Sequence, residues 1–197
     1  LGNTTWKIPD LCPVCSSVLV KKGAHHFCEN FNCPAREKGR LVFFCGKDQM
    51  DMEGFGPKTI DVLYDNDFVK NIGDLFKFQY GYLNGMEGFG EESKKVDTLK
   101  KAIADAKKTS FRKVLVSLGI PEFGKRAVDL VVEAGYDNIN KFLSLTADDI
   151  STLSAIRNIG PVTASLIVEG FNDPNIRTII EDLQKAELSM KDGEQTS

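Results

Sequence analysis

Four times in this chain an apolar residue stands between two turn-forming residues, at nearly even spacing. The copies are Met52-Glu53-Gly54-Phe55-Gly56, Met86-Glu87-Gly88-Phe89-Gly90, Ile120-Pro121-Glu122-Phe123-Gly124 and Ile156-Arg157-Asn158-Ile159-Gly160. Their last glycines are 34, 34 and 36 residues apart. Self-similarity at such a period marks a repeat architecture. Each copy has helix-compatible sequence before and after it, so each reads as a helix, a tight hairpin and a second helix.

The hairpin residues have a physical reason. A tight reversal between helices needs positive φ or close backbone approach, and glycine permits both. Asparagine tolerates positive φ better than glutamate, so the third copy, with Glu122 in the first turn position, is the weakest of the four. Unpaired backbone amides at a helix start meet the positive end of the helix dipole, where a phosphate oxygen is the natural ligand. Pro57 and Pro161 suit the first helical position, where a missing N–H removes no helical bond. The candidate nucleic-acid contacts are therefore Gly54, Gly56, Lys58, Gly88, Gly90, Lys94, Gly124, Lys125, Asn158 and Gly160, with residues 54–58 the first choice. Glu91 and Glu92 oppose a phosphate at the second copy while favouring a helix start. Contacts limited to phosphates fix position on a duplex without reading base identity. A plain loop between packed helices would account for one such copy, but four in register argue against it.

The flanking helices are legible. In residues 91–108 the apolar Val96, Leu99 and Ile103, with Ala102 and Ala106, share one helical face and leave the lysines largely to solvent. Thr146 and Asp149 form a capping pattern that opens a helix to about Ala155, and Asp173-Pro174 caps another that ends near Ala186.

Four of the five cysteines lie in the first forty residues, as Cys12-Pro13-Val14-Cys15 and, after twelve intervening residues, Cys28 and Cys33. Two close pairs joined by a hairpin can surround one ion with four thiolates, which suits tetrahedral zinc. A closed thiolate sphere leaves no position for an activated water, so the site is expected to be structural and to supply much of the folding free energy of so small a segment. Ordinary buried thiols are the alternative, iron competes with zinc for such a site, and His25 or His26 could replace one sulfur. Cys45, within the apolar run at 41–45, reads as a core residue.

The net charge of −3 and pI near 5.5 exclude a strong overall positive field, so any nucleic-acid contact must be local. Apolar runs are too short for a membrane span and no secretory signal opens the chain, which makes a cytoplasmic protein the expectation. A reducing cytosol favours metal ligation over disulfides at this spacing.

The order of parts resembles that of the NAD-dependent bacterial DNA ligases. The matching words are Cys12-Pro13-Val14-Cys15, the segment from Cys28 through Cys33 to Pro34 and Ala35, Met50-Asp51-Met52-Glu53-Gly54-Phe55-Gly56, Gly88-Phe89-Gly90-Glu91, Leu118-Gly119-Ile120-Pro121 and Ile159-Gly160-Pro161. The resemblance runs from about Pro9 to Leu188. It implies an enzyme that is adenylated on a lysine by NAD, passes AMP to a 5′-phosphate at a nick and seals it with the 3′-hydroxyl, in replication and repair. The adenylation motif Lys-x-Asp-Gly is absent, so this segment alone is expected to bind no NAD and to be inactive. The resemblance places the nucleotidyltransferase and OB domains before Leu1 and a BRCT domain after Ser197.

The expected fold is mainly α: a linker at 1–10, a four-cysteine zinc finger at 11–40, four helix-hairpin-helix repeats at 41–188 and a polar tail at 189–197. The zinc ligands are Cys12, Cys15, Cys28 and Cys33, and no catalytic residue is assigned. Expected partners are nicked double-stranded DNA and the remaining ligase domains, in bacterial cytoplasm at the nucleoid, with no membrane. The alternative is a free-standing zinc and helix-hairpin-helix protein that binds DNA or acts as a scaffold. A helix-hairpin-helix DNA glycosylase fits less well, because Val162 stands where its hairpin lysine belongs and Asp173 reads as a helix cap.

Overall fold

A computed structural model describes residues 9–30, 33–90 and 94–193. The chain opens with a two-stranded antiparallel ribbon, β1 (Leu19–Lys22) and β2 (His25–Cys28), turned at Gly23, whose φ of +64° needs no Cβ. Ten α-helices follow among the described residues. They are α1 (Pro34–Cys45), α2 (Pro57–Asp65), α3 (Ile72–Lys77), α4 (Lys94–Lys107), α5 (Phe111–Ser117), α6 (Lys125–Glu133), α7 (Ile139–Leu143), α8 (Ile150–Ser154), α9 (Pro161–Asn172) and α10 (Pro174–Lys185). Short 3-10 turns at Tyr80–Leu83 and Ala147–Asp149 precede hairpin 2 and α8.

The mainly helical expectation and its capping details hold. Thr146 and Asp149 form a reciprocal capping box, and the Asp173 carboxylate accepts from the Asn175 amide, 2.9 Å away, at the start of α10. On α4 the expected face is the buried one, through Val96, Leu99, Ala102 and Ala106. Residues 91–93, where its start was expected, lie outside the described residues.

The helices fall into two halves of the same design. In each, helix–hairpin–helix is followed by a short helix capped by asparagine: Asn71 accepts from the Asp74 amide before α3, and Asn138 from the Lys141 amide before α7. A second helix–hairpin–helix then closes the half. Core packing agrees: the hairpin residue Phe55 meets Tyr80 edge-on with centroids 5.5 Å apart, while Phe123 packs with Phe142 and Phe171 at 5.9 and 5.8 Å. Each buried ring removes enough apolar surface from water to stabilise the fold by about 2 to 3 kcal/mol. The halves touch where α10 lies against α3, so closely that a Cβ on Gly73 would sit 2.8 Å from the Asp182 carboxyl carbon.

The ribbon has almost no core of its own. Leu11, Val14, Val18, Val20 and Phe27 are all exposed, and among the described residues of this region only Cys12 and Cys33 are deeply buried. Helix α1 begins directly after Cys33, passes residue 40 without a break and buries Leu41, Phe44 and Cys45 in the repeat core. Lys38 on α1 bridges Asp61 and Asp65 of α2 at 3.1 and 2.8 Å, and the Tyr64 hydroxyl donates to Glu37. The polar tail expected from residue 189 is held at its start: Ser189 is buried, and the Ile139 amide donates to the Met190 carbonyl at 2.9 Å.

Candidate metal centre and nucleic-acid interface

The ribbon and the first turn of α1 bring four sulfurs together. Cys12 and Cys15 come from the knuckle before β1, Cys28 ends β2, and Cys33 caps α1; all four sulfurs lie within 4.8 Å of one another. The Cys12–Cys33 and Cys15–Cys28 separations are 3.8 and 3.5 Å. A zinc ion with four Zn–S bonds of about 2.3 Å has sulfur–sulfur edges of about 3.8 Å, so the donor set fits the ion in size, number and softness. Hydrogen bonds from the Ser17 side chain and backbone draw the Cys15 thiol down to about 5, whereas desolvation pushes Cys28 up to about 12. Four crowded thiolates repel one another, and a divalent cation removes that penalty. His25 and His26 lie on β2 outside the cluster. Cys45 is in the core, its thiol pushed up to about 12 by burial.

The hairpins share one backbone solution. The first turn position is left-handed in all four: Gly54 and Gly88 at φ +88°, Glu122 at +61° and Asn158 at +68°. Each turn is closed by the amide of the central apolar residue: Phe55 to Met52 O, Phe89 to Met86 O, Phe123 to Ile120 O and Ile159 to Ile156 O, at 3.3, 2.9, 3.1 and 3.0 Å. These are type II turns, with positive φ at the third residue. The central residue is a buried peg and its neighbours are exposed.

The second glycine separates the hairpins into two kinds. Gly56, Gly124 and Gly160 are extended N-caps, with φ of −83°, −86° and −86°, and a helix starts at the next residue. None of the three has a capping side chain, so the first N–H groups of α2, α6 and α9 lack a side-chain cap, and a Cβ at any of these glycines would meet open space. Gly90 differs: its φ is +69° and its carbonyl accepts from the Gly85 amide at 2.6 Å.

The hairpins also stand in pairs. Hairpins 1 and 2 border a cleft of about 530 Å³ lined by Gly54, Lys58, Gly88, Lys94, Lys95 and Leu99, in which the Lys95 ammonium donates to the Gly88 carbonyl at 2.9 Å. Hairpins 3 and 4 border a second cleft, of about 600 Å³, lined by Glu122, Gly124, Lys125, Arg126, Asn158 and Thr163. Seven of the ten expected contacts line these clefts, four in the first and three in the second, whereas Gly56, Gly90 and Gly160 lie outside both linings. Arg126 and Thr163 were not foreseen; both stand in the first turn of a helix that follows an N-cap glycine, which is the signal that could have found them.

A helix-hairpin-helix motif matches residues 113–180, which span hairpins 3 and 4. The chain is 42% identical over 196 residues to the DNA ligase of Leptospira interrogans, covering 96% of this chain and 28% of that protein. It is 40% identical over 171 residues to the DNA ligase of Borrelia garinii, covering 85% and 26%, and 34% identical over 186 residues to that of Natranaerobius thermophilus, covering 93% and 27%. The chain thus spans little more than a quarter of the length of these relatives. No described helix is long and apolar enough to cross a membrane.

Proposed function

We propose, from the premise that this chain is a segment of a DNA ligase, that it is the part of an NAD-dependent enzyme that grips nicked duplex DNA. The second hairpin pair is its main hand. The observation that carries this reading is the shared geometry of hairpins 3 and 4: two N-cap glycines, Gly124 and Gly160, present uncapped helix-start amides beside one cleft that Lys125 and Arg126 also line. Two such donors side by side suit two phosphates, one on each strand across the minor groove. Backbone amides read no base, which suits an enzyme that must act at any break.

Hairpin 1 adds a third phosphate contact through Gly56 and Lys58, and the Gly90 backbone makes hairpin 2 the poorest of the four. Asn158 holds the left-handed turn of hairpin 4, as Gly54 and Gly88 do in hairpins 1 and 2. Cys12, Cys15, Cys28 and Cys33 hold zinc as a structural crosslink, since four thiolates leave the ion no open coordination site. Adenylation by NAD and the sealing chemistry belong to the rest of the enzyme. The ligase works in the cytoplasm at the nucleoid, in replication and repair.

The test is a titration of the zinc-loaded chain into nicked and intact duplexes of two unrelated sequences at 0.05 and 0.2 M salt. Binding should be indifferent to sequence and fall steeply with salt, since each phosphate contact releases about one counterion. Gly124→Asp with Gly160→Asp should weaken it at least about tenfold, more than Gly54→Asp with Gly56→Asp, because a carboxylate at each cap displaces the phosphate. A folded chain that ignores DNA at low salt would refute the reading.

A further inference from the structure

Glu122 is out of keeping with the other three hairpins. It holds a left-handed backbone, φ +61°, where hairpins 1 and 2 have glycine and hairpin 4 has asparagine. That region is uncommon for a residue with a long side chain. The side chain is exposed and makes no ion pair or hydrogen bond with any described residue, although Lys125 and Arg126 line the same cleft. The hairpin turn requires this left-handed backbone, but glutamate suits it poorly and its carboxylate adds no contact to the fold, and strain kept beside the cleft points to function.

We propose that Glu122 is an electrostatic brake on the DNA grip. Its carboxylate borders the cleft between hairpins 3 and 4 and repels the phosphates that the Gly124 and Gly160 caps, Lys125 and Arg126 attract. The second pair then holds duplex firmly enough to position it and loosely enough to let it go. An enzyme that must leave each sealed site gains turnover from such a brake, because product release sets the rate of many well-evolved enzymes. The inference rests on the reading of this cleft as a phosphate grip.

An opposite role makes an opposite prediction. A carboxylate only accepts hydrogen bonds, and the one base-edge donor in the minor groove is the guanine 2-amino group. If Glu122 read that group, removing its charge would weaken binding to G·C-rich duplex.

The experiment compares the zinc-loaded wild-type chain with Glu122→Gln, which removes the charge but keeps the length, and with Glu122→Gly, which also releases the backbone. Binding of A·T-rich and G·C-rich nicked duplexes is followed by fluorescence anisotropy from 0.05 to 0.2 M salt, with dissociation rates. Glu122→Gln should bind both duplexes more tightly, up to about tenfold at 0.1 M salt, with slower dissociation and a salt slope steeper by about one ion. Glu122→Gly should match that affinity and melt at a higher temperature. Unchanged or weaker binding by Glu122→Gln, with wild-type binding intact, overturns the brake alone. Wild-type chain that fails to bind at 0.05 M salt overturns the grip, and the brake with it.

Discussion

The Arg112 guanidinium on α5 grips the Asp192 carboxylate with two parallel bonds, Nε and Nη2 each 3.1 Å from one oxygen, across 80 positions of chain. Its remaining nitrogen, Nη1, reaches Asp129 on α6 at 3.0 Å. The Asp192 carboxylate, followed by that of Asp129, raises the arginine above its ordinary range. With the Asp192 amide donating to Asp137 O at 2.7 Å, the fork stitches the segment after α10 onto the second half. Arg112→Ala should free that segment. The pair is about a third exposed, so screening limits the loss to about 1 kcal/mol, or a fall in Tm of about 2 to 4 °C. New protease cleavage near residues 187–193 is the clearest readout, and an unchanged digestion pattern would count against the clamp.

Metal removal should separate the two parts of the molecule. The ribbon has exposed apolar side chains and no core, whereas the helices share a continuous buried cluster from Leu41 to Leu188. A strong chelator, or Cys28→Ser, should unfold residues 11–30 while helical circular dichroism stays close to that of the loaded protein. Amide exchange resolved along the chain checks this, and cooperative loss of all helices on chelation would contradict it.

Two glycines only two residues apart should respond unequally. At Gly54 an added Cβ meets both a φ of +88° and Leu99 Cδ2 at 2.9 Å, so Gly54→Ala should lower stability by about 1 to 3 kcal/mol. At Gly56 the backbone is extended and the space open, so Gly56→Ala should leave stability within about 0.5 kcal/mol of the wild type. Urea denaturation of the two variants decides it, and equal losses would refute the assignment.

Gly170 fixes how α9 meets hairpin 3. A Cβ there would lie 2.6 Å from Ile120 Cγ2, so Gly170→Ala should overpack the contact and destabilise by about 1 to 3 kcal/mol. Gly170→Ala combined with Ile120→Ala should lose less than the sum of the two single losses, because alanine removes both γ-carbons that the added Cβ would meet. A strictly additive double variant would show that the two residues do not meet.

What the sequence disclosed was set by the range of each signal. Hairpins and cysteine pairs are local: a positive φ, a cap and a short ligand spacing leave their marks within a few residues. Pairing of the hairpins is not local. It could have been read from Asn71-Ile72 and Asn138-Ile139, whose capped helices repeat the same connection in each half, but a signal of two residues is lost beside the stronger glycine period. The turn at Glu122 was obscured for a different reason. Intrinsic preference disfavours glutamate at positive φ, yet the buried Phe123 peg and the closed turn around it impose that backbone. Hairpin 2 has the glycines that the pattern requires and still differs at Gly90, since glycine permits more than one backbone answer. The segment after Leu188 looks like a solvated tail because its partners, Arg112 and Asp137, are far away in sequence.

Because α1 runs without interruption from Cys33 of the thiolate cluster to the buried Phe44, a continuous helix joins that cluster to the first half. A flexible joint there would let the cluster wander, and any binding that used both parts would have to freeze that wandering anew. A continuous helix settles the orientation once, when the chain folds. A rotation imposed on the thiolate cluster would therefore be carried along α1 as far as Cys45, a few residues short of hairpin 1.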